Sequence, residues 1–144
     1  MGSLYKREIY LQKIRPYYDD TEIVKIITGV MGCGKTSLIE MIIEELKEKG
    51  IPDENIIKIN LDKRPYKGIR TFDKLTEIIA KKSVGVEGIK YVFLDELQNV
   101  SEFEMTLNTC YKEGNFSIFA TASNGYVLYP KHVKRLLARY VNYE

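Results

Sequence analysis

The stretch Gly29-Val30-Met31-Gly32-Cys33-Gly34-Lys35-Thr36, which Ser37 follows, decides the fold of this 144-residue chain. It has the form G-x-x-x-x-G-K-[ST], in which glycines let backbone N–H groups converge on a dense cluster of negative charge. Residues 24–28 are apolar and β-branched, which predicts a buried strand before the stretch. Residues 36–49 are amphipathic, which predicts a helix after it, and a helix N-terminus favours anions. This context predicts a binding site for the phosphates of a nucleotide.

Within this loop each residue type has an expected task. We expect Lys35 to reach the β- and γ-phosphates and the hydroxyl of Thr36 to bind Mg²⁺. A glycine-rich turn with a chance lysine is the alternative, and the strand before and the helix after argue against it. The residues expected to bind a nucleoside triphosphate such as ATP are Gly29, Val30, Met31, Gly32, Cys33, Gly34, Lys35, Thr36 and Ser37.

Two adjacent acids, Asp95 and Glu96, follow the apolar residues 91–94. A carboxylate at the end of a buried strand can hold Mg²⁺, usually through water, and we assign that role to Asp95. A second carboxylate can deprotonate an attacking water, and we assign Glu96 as this catalytic base. The alternative is a pair of solvated acids that open a loop.

Strands and helices alternate along the chain, which predicts an α/β fold with a mostly parallel sheet that helices cover on both faces. The strands are expected at residues 24–28, 56–61, 91–94, 117–121 and 140–143. The helices are expected at residues 6–14, 36–49 and 71–82, from Ser101 onward, and over a short segment after Pro130.

Two further residues are candidates for the catalytic site. Asn124 follows the fourth strand, where an amide can contact the γ-phosphate or position water, although Ser123-Asn124-Gly125 also suits a simple turn. Arg139 lies between the short helix and the last strand. A guanidinium there can stabilise charge on the transferring phosphoryl group, but an ordinary surface arginine is the simpler interpretation.

Composition limits the classes of partner. The net charge of +2 does not by itself indicate a nucleic acid. Basic residues cluster at 63–70 and 131–135, which keeps nucleic acid open as a weakly supported partner, although two solvated faces are the simpler interpretation. Cys33 and Cys110 lack ligand spacing, and the longest apolar runs are about five residues, far below the roughly 20 that span a bilayer. We therefore expect a cytoplasmic protein with no membrane partner.

The motifs together resemble the archaeal-type AAA+ ATPase family of bacteria and archaea, whose larger members carry a separate C-terminal domain of unknown function. The resemblance covers nearly the whole chain. The segments that carry it are Tyr10-Leu11-x-x-Ile14-Arg15-Pro16, Ile27-Thr28-Gly29-Val30, Cys33-Gly34-Lys35-Thr36, Phe93-Leu94-Asp95-Glu96-Leu97-Gln98-Asn99, Ser123-Asn124 and Leu136-Leu137-Ala138-Arg139-Tyr140.

This resemblance implies a three-layer P-loop NTPase fold of the AAA+ or ASCE-like kind, with a five-stranded sheet of order 5-1-4-3-2. It implies that Asn124 is the sensor asparagine. It also implies that Arg139, ahead of the fifth strand, is the arginine finger, which acts on a neighbouring subunit of a homo-oligomer. The sequence departs from the family pattern at Met31-Gly32, where a pair of arginines is common, and at Ala138, where glycine is usual.

We expect one P-loop ATPase domain over residues 1–144. An N-terminal helix and connector would occupy residues 1–20, and an α/β core without the AAA+ helical lid would occupy residues 21–144. The predicted function is Mg²⁺-dependent binding and hydrolysis of ATP. Two alternatives stay open: a nucleotide-dependent switch or nucleic-acid-binding module without turnover, and a small-molecule phosphotransferase.

Overall fold

The computed structural model describes residues 2–29, 34–123 and 137–142, with side chains described between residues 7 and 123. The helices are α1 Gly2–Ile14, α2 Lys35–Glu48, α3 Phe72–Ser83 and α4 Phe103–Glu113. The strands are β1 Ile23–Gly29, β2 Ile56–Asn60, β3 Lys90–Asp95, β4 Phe116–Ser123 and β5 Leu137–Asn142. None of the helices in these ranges is long and apolar enough to cross a membrane.

The five strands form one sheet in the order β2-β3-β4-β1-β5, and every pair of neighbours is parallel. This order confirms the expected 5-1-4-3-2 arrangement. In a parallel sheet all carboxyl ends lie at the same edge, where ligands of open α/β sheets bind. Gly29, Asn60, Asp95 and Ser123 end their strands at this edge.

Alternate residues of each strand face opposite layers, because side chains alternate across a strand. In β3, Val92 and Leu94 join the core formed with α3 and α4, whereas Tyr91 and Phe93 join the core formed with α1 and α2. Helices therefore cover both faces, as a three-layer α/β fold requires. From the helices, the first core receives Leu75, Ile79, Leu107 and Cys110, and the second receives Leu11, Ile14, Leu38, Ile39, Ile42 and Leu46.

Most element boundaries differ from the expectation by one or two residues, and α1 begins earlier, at Gly2 rather than residue 6. Helix α4 begins at Phe103 rather than Ser101, because Ser101 pairs with Thr71 in an isolated bridge and its N–H donates to the Arg70 carbonyl at 2.8 Å. Strand β5 begins at Leu137, three residues before the expected start, because it pairs with β1 from Ile23 onward. The segment between Pro130 and β5, where a short helix was expected, lies outside the described residues.

A charged network joins α1 to α2, the helix that begins at the end of the glycine-rich stretch 29–36. Arg15 donates from Nε and Nη2 to the two carboxylate oxygens of Glu45 at 2.9 and 2.7 Å, and it also pairs with Glu8 of α1. The hydroxyl of Tyr18 donates to Glu45 at 3.0 Å. The hydrogen bonds from Arg15 are the main reason that the pKa of Glu45 is lowered. Such bidentate pairing fixes orientation as well as distance.

One lysine side chain of the sheet is buried in the protein interior. Lys25 of β1 has no exposed surface, and its Nζ donates at 2.8 Å to both the Asp20 carbonyl and the Ser117 hydroxyl. The ammonium also lies 4.5 Å from the centre of the Phe119 ring. Burial disfavours the charged form, so the pKa of Lys25 is lowered to about 7, although the negative charge of Asp20 and Asp19 opposes this shift.

Replacing Lys25 by methionine should remove part of the pH dependence of stability. Between pH 7 and 9.5 an unfolded lysine, whose pKa is 10.5, holds a proton that the folded Lys25 has lost, so raising the pH favours folding. We expect the free energy of unfolding of the wild type to gain about 3 kcal/mol relative to Lys25→Met over this range. Urea unfolding at both pH values measures the difference.

Lys112→Met is the matched control, since Lys112 is an exposed lysine on α4. This variant should keep the wild-type slope of stability against pH. Equal slopes for the wild type and Lys25→Met would show that Lys25 does not titrate in this window.

Candidate nucleotide site

A cleft of about 230 Å³ opens at the carboxyl edge of the sheet. Three segments line it: the start of α2, the end of β2 with the residues after it, and the end of β3. The lining residues are Gly34, Lys35, Thr36, Ser37, Asn60, Asp62, Lys63, Asp95 and Glu96. The structure thus brings the loop residues Lys35 and Thr36 together with Asp95 and Glu96, which the sequence places about 60 positions later.

The first turn of α2 points into this cleft. Gly34 precedes the helix with φ 108°, a conformation that side chains strongly disfavour and that glycine adopts readily. The Gly34 carbonyl accepts the first helical hydrogen bond, from Leu38 N–H at 3.0 Å. The N–H groups of the first turn and the positive end of the helix dipole therefore lie at the cleft, where they favour an anion.

Thr36 and Asp95 meet directly. The Thr36 hydroxyl donates to Asp95 Oδ2 at 2.7 Å, and the Asn60 amide donates to the same oxygen at 3.3 Å. One hydroxyl and one carboxylate fit Mg²⁺, which commonly takes one or two protein oxygens and completes its shell with phosphate and water. The described residues contain no group of three or more His, Cys, Asp or Glu side chains that could hold a metal alone. Thr36 and Asp95 are therefore the residues that would hold Mg²⁺.

Lys35 is buried inside the cleft, with 4% of its surface exposed. Its Nζ donates to the Gly29 carbonyl at 3.0 Å and lies 3.6 Å from Glu96 Oε1. The ammonium thus lies between the end of β1 and the residue that follows β3. A phosphate that entered the cleft would compete with Glu96 for this cation.

Glu96 has an unusual backbone and a well-held carboxylate. Its φ of 61° and ψ of 53° lie in the left-handed region, which costs a non-glycine residue about 1–2 kcal/mol. The Ser123 hydroxyl donates to Oε2 at 2.8 Å, and the Gln98 amide donates to the same oxygen at 2.6 Å. Strained backbone held by surrounding contacts is common at functional sites.

Thr121 of β4 connects the two acids. Its hydroxyl accepts a hydrogen bond from the Glu96 N–H at 2.8 Å and donates to Asp95 Oδ1. The sequence pattern alone did not indicate a role for Thr121, Ser123, Asn60 or Gln98. The available signal was that polar side chains end three neighbouring strands, although their partners depend on sheet register.

Several predicted site residues cannot be placed. Val30, Met31, Gly32, Cys33 and Asn124 lie outside the described residues, so their roles stay predictions. The expectation that Arg139 precedes the fifth strand was wrong. Arg139 is the third residue of β5, and its backbone pairs with that of Lys25, because β5 extends along nearly all of β1.

The basic segment 63–70 leaves β2 beside the cleft. Lys63, Arg64, Lys67 and Arg70 are exposed, and buried Ile69 anchors the segment to the core. Exposed cations on an anchored loop agree with a solvated charged face, and contact with nucleic acid stays a prediction. The second basic cluster, at 131–135, lies outside the described residues.

Residues 21–144 match the model of a family described as an AAA domain. The chain belongs to this AAA domain family. An uncharacterized protein of Haemophilus influenzae is 29% identical to this AAA domain over 139 residues, which cover 96% of this chain and 34% of that protein. The chain therefore spans about one third of the length of this curated relative.

Solved structures show the same fold. A DNA polymerase III gamma subunit-related protein of Thermotoga maritima superposes with a TM-score of 0.57 and 15% identity, over 92% of this chain and 46% of that one. The ORC2 protein of Aeropyrum pernix, in its ADP form, gives 0.55 and 13%, over 94% and 46%. Family and fold together show that this AAA domain is a nucleotide-binding, ATPase-like domain.

Replacing Thr121 by valine should destabilise this AAA domain. Valine keeps the shape but removes the hydroxyl, which leaves Asp95 Oδ1 and the buried Glu96 N–H short of a partner. We expect the free energy of unfolding to fall by about 1–3 kcal/mol, the cost of an unsatisfied buried polar group. Denaturant unfolding measures it. Thr121→Ser, which keeps the hydroxyl, should recover most of the loss, and equal stability of the valine variant and wild type would contradict the assignment.

Proposed function

We propose that this AAA domain binds ATP with Mg²⁺ and hydrolyses it. The observation that carries the proposal is the meeting of Lys35, Thr36, Asp95 and Glu96 in one cleft at the N-terminus of α2. Together these four residues supply three requirements: a cation for phosphate, two oxygens for a hard metal ion, and a carboxylate for water. The ADP form of the similar ORC2 protein supports an adenine nucleotide as the ligand.

The binding step follows from charge. The N–H groups at the start of α2 and the backbone of residues 29–37 would surround the β- and γ-phosphates, and Lys35 would exchange its contact with Glu96 for one with phosphate. When bound between Thr36 and Asp95, Mg²⁺ supplies positive charge against the phosphate oxygens.

Glu96 acts as the general base in the chemical step. A water oxygen forms a bond to the γ-phosphorus, the bond from this phosphorus to the β–γ bridging oxygen breaks, and ADP leaves with the electron pair. The proton lost by the water passes to the Glu96 carboxylate. The hydrogen bonds from Ser123 and Gln98 hold this carboxylate in one orientation, which is what general-base catalysis requires.

The two alternatives make different demands on the cleft. A phosphotransferase commonly closes arginines over the phosphates, and the described residues that line this cleft include Lys35 and Lys63 but no arginine. A switch without turnover would need the same binding groups but no positioned base, whereas Glu96 is held by two neutral donors beside Lys35. The geometry therefore supports hydrolysis over both alternatives.

The proposal includes a second protomer. The family resemblance gives Arg139 the role of an arginine finger that acts on a neighbouring subunit, and β5, which contains it, is an edge strand of the sheet. Fingers of this kind contribute about 10³-fold or more to rate. Activity per protomer should accordingly rise with protein concentration, which phosphate release measured over a concentration series would detect.

Glu96→Gln separates binding from chemistry. The amide keeps the size of the side chain but cannot take a proton, so ATP affinity should stay within about threefold while hydrolysis falls by about 10²-fold or more. Calorimetry measures the affinity and phosphate release measures the rate. Lys35→Met, which removes the ammonium proposed to contact the phosphates, should instead lose ATP binding.

Glu87→Gln is the matched control, because Glu87 is an exposed glutamate remote from the cleft-lining residues. It should behave as wild type in both assays. Unchanged hydrolysis in Glu96→Gln would exclude Glu96 as the base. Tight ATP binding by a wild type that releases no phosphate at any protein concentration would favour the switch.

A further inference from the structure

The basic segment 63–70 concentrates positive charge at one place on the surface. Its charged residues are Lys63, Arg64, Lys67 and Arg70. They give the segment a net charge of +4, whereas the whole chain has +2, so the rest of the chain is net acidic. All four side chains are exposed, and none of them forms an ion pair with another described residue. A group of cations that no neighbouring carboxylate neutralises attracts anions.

Buried contacts hold the backbone of this segment in place. Ile69 belongs to the core formed with α3 and α4, and Tyr66 packs against that core. The Tyr66 N–H donates to the Lys63 carbonyl at 3.0 Å, and the Ile69 N–H donates to the Tyr66 carbonyl at 3.0 Å. The Arg70 carbonyl accepts from the Ser101 N–H at 2.8 Å. Cations on a fixed backbone lose less conformational freedom on binding than cations on a flexible tail.

The basic segment adjoins the nucleotide cleft on one side and α3 on the other. Lys63 lines the cleft. The Nζ of Lys82, an exposed residue of α3, lies 5.7 Å from the centre of the Tyr66 ring. The positive surface therefore extends from the cleft to α3, and a partner bound on it would lie beside the nucleotide.

We propose that the basic segment binds the phosphate backbone of a nucleic acid through Arg64, Lys67 and Arg70. These cations recur every third residue along the chain. A polymer with regularly repeated phosphates can contact several of them at once, and each such contact releases a bound counterion. Two of the three are arginines, whose guanidinium can bind a phosphate group with two parallel hydrogen bonds. Backbone contacts carry no base information, so the binding is independent of base sequence.

The composition of the segment favours a nucleic acid over the other anionic partners. The large hydrophobic side chains that are exposed among the described residues are Ile9, Val84 and Met105. None of them belongs to the basic segment. The segment therefore lacks the apolar side chains with which proteins enter a lipid surface or anchor a protein interface, and charge is what remains for recognition.

The direct test replaces the three proposed contacts in one variant, Arg64→Gln with Lys67→Gln and Arg70→Gln. Fluorescence anisotropy of a labelled short DNA duplex, without nucleotide, measures the affinity over a series of salt concentrations. For the wild type we expect the logarithm of the binding constant to fall with the logarithm of salt concentration with a slope of about −3, one unit per contact. The variant should bind at least about tenfold more weakly and lose most of this slope. A second duplex of unrelated sequence should bind the wild type within about twofold of the first.

The matched control removes the same amount of charge elsewhere. Lys13→Gln, Lys49→Gln and Lys112→Gln in one variant replace three exposed lysines outside the basic segment. This variant should keep the wild-type affinity for the duplex within about twofold and the wild-type salt slope. Urea unfolding should be similar for the wild type and both variants, because all six side chains are exposed.

Three results would overturn the proposal. The first is no binding of the duplex by the wild type at low salt. The second is an equal loss of affinity in the two variants, which would show an effect of net charge alone. The third is binding of polyglutamate, or of vesicles that contain phosphatidylserine, as tightly as the duplex, which would show a different anionic partner. Because the assay contains no nucleotide, each of these results leaves the proposed ATP hydrolysis untouched.

Discussion

The buried carboxylate of Asp95 is the interaction on which the rest of the site depends. It is 1% exposed, and a buried charge is tolerated only when hydrogen bonds compensate its lost hydration. Donors arrive from three separate elements: Thr36 at the start of α2, Asn60 at the end of β2 and Thr121 in β4. The hydrogen bonds that Asp95 accepts therefore fix α2 and two strands, β2 and β4, relative to β3.

The same requirement orders the neighbouring Glu96. Because the Thr121 hydroxyl donates to Asp95, its lone pair is available to the Glu96 N–H, and this contact accompanies the left-handed backbone of Glu96. That backbone carries the side chain to Ser123, Gln98 and Lys35. Thr36, Asp95, Glu96 and Lys35, the residues proposed to bind metal, activate water and bind phosphate, thus lie in one cleft as a consequence of how a single buried carboxylate is compensated.

The fold was largely predictable because its signals are local. The glycine-rich loop between an apolar strand and an amphipathic helix determined the class, and continuous apolar strands indicated a sheet covered on both faces. The start of β5 was not predictable, because Leu137 joins the strand through pairing with Ile23 rather than through its own pattern. Thr121 and Gln98 were also missed as site residues, since their roles arise from register and from a left-handed residue that no spacing rule reveals.

The central claim is that the cleft at the start of α2 is a site for ATP with Mg²⁺. Calorimetric titration of ATP with Mg²⁺ and with a chelator, on wild type and on Thr36→Val, tests it most directly. The valine keeps the volume of Thr36 but removes the hydroxyl that meets Asp95. The account predicts that Mg²⁺ strengthens ATP binding to the wild type by about tenfold or more, roughly 1.4 kcal/mol, and that Thr36→Val loses most of this gain. Equal Mg²⁺ dependence in both proteins, or no ATP binding by the wild type, would contradict it.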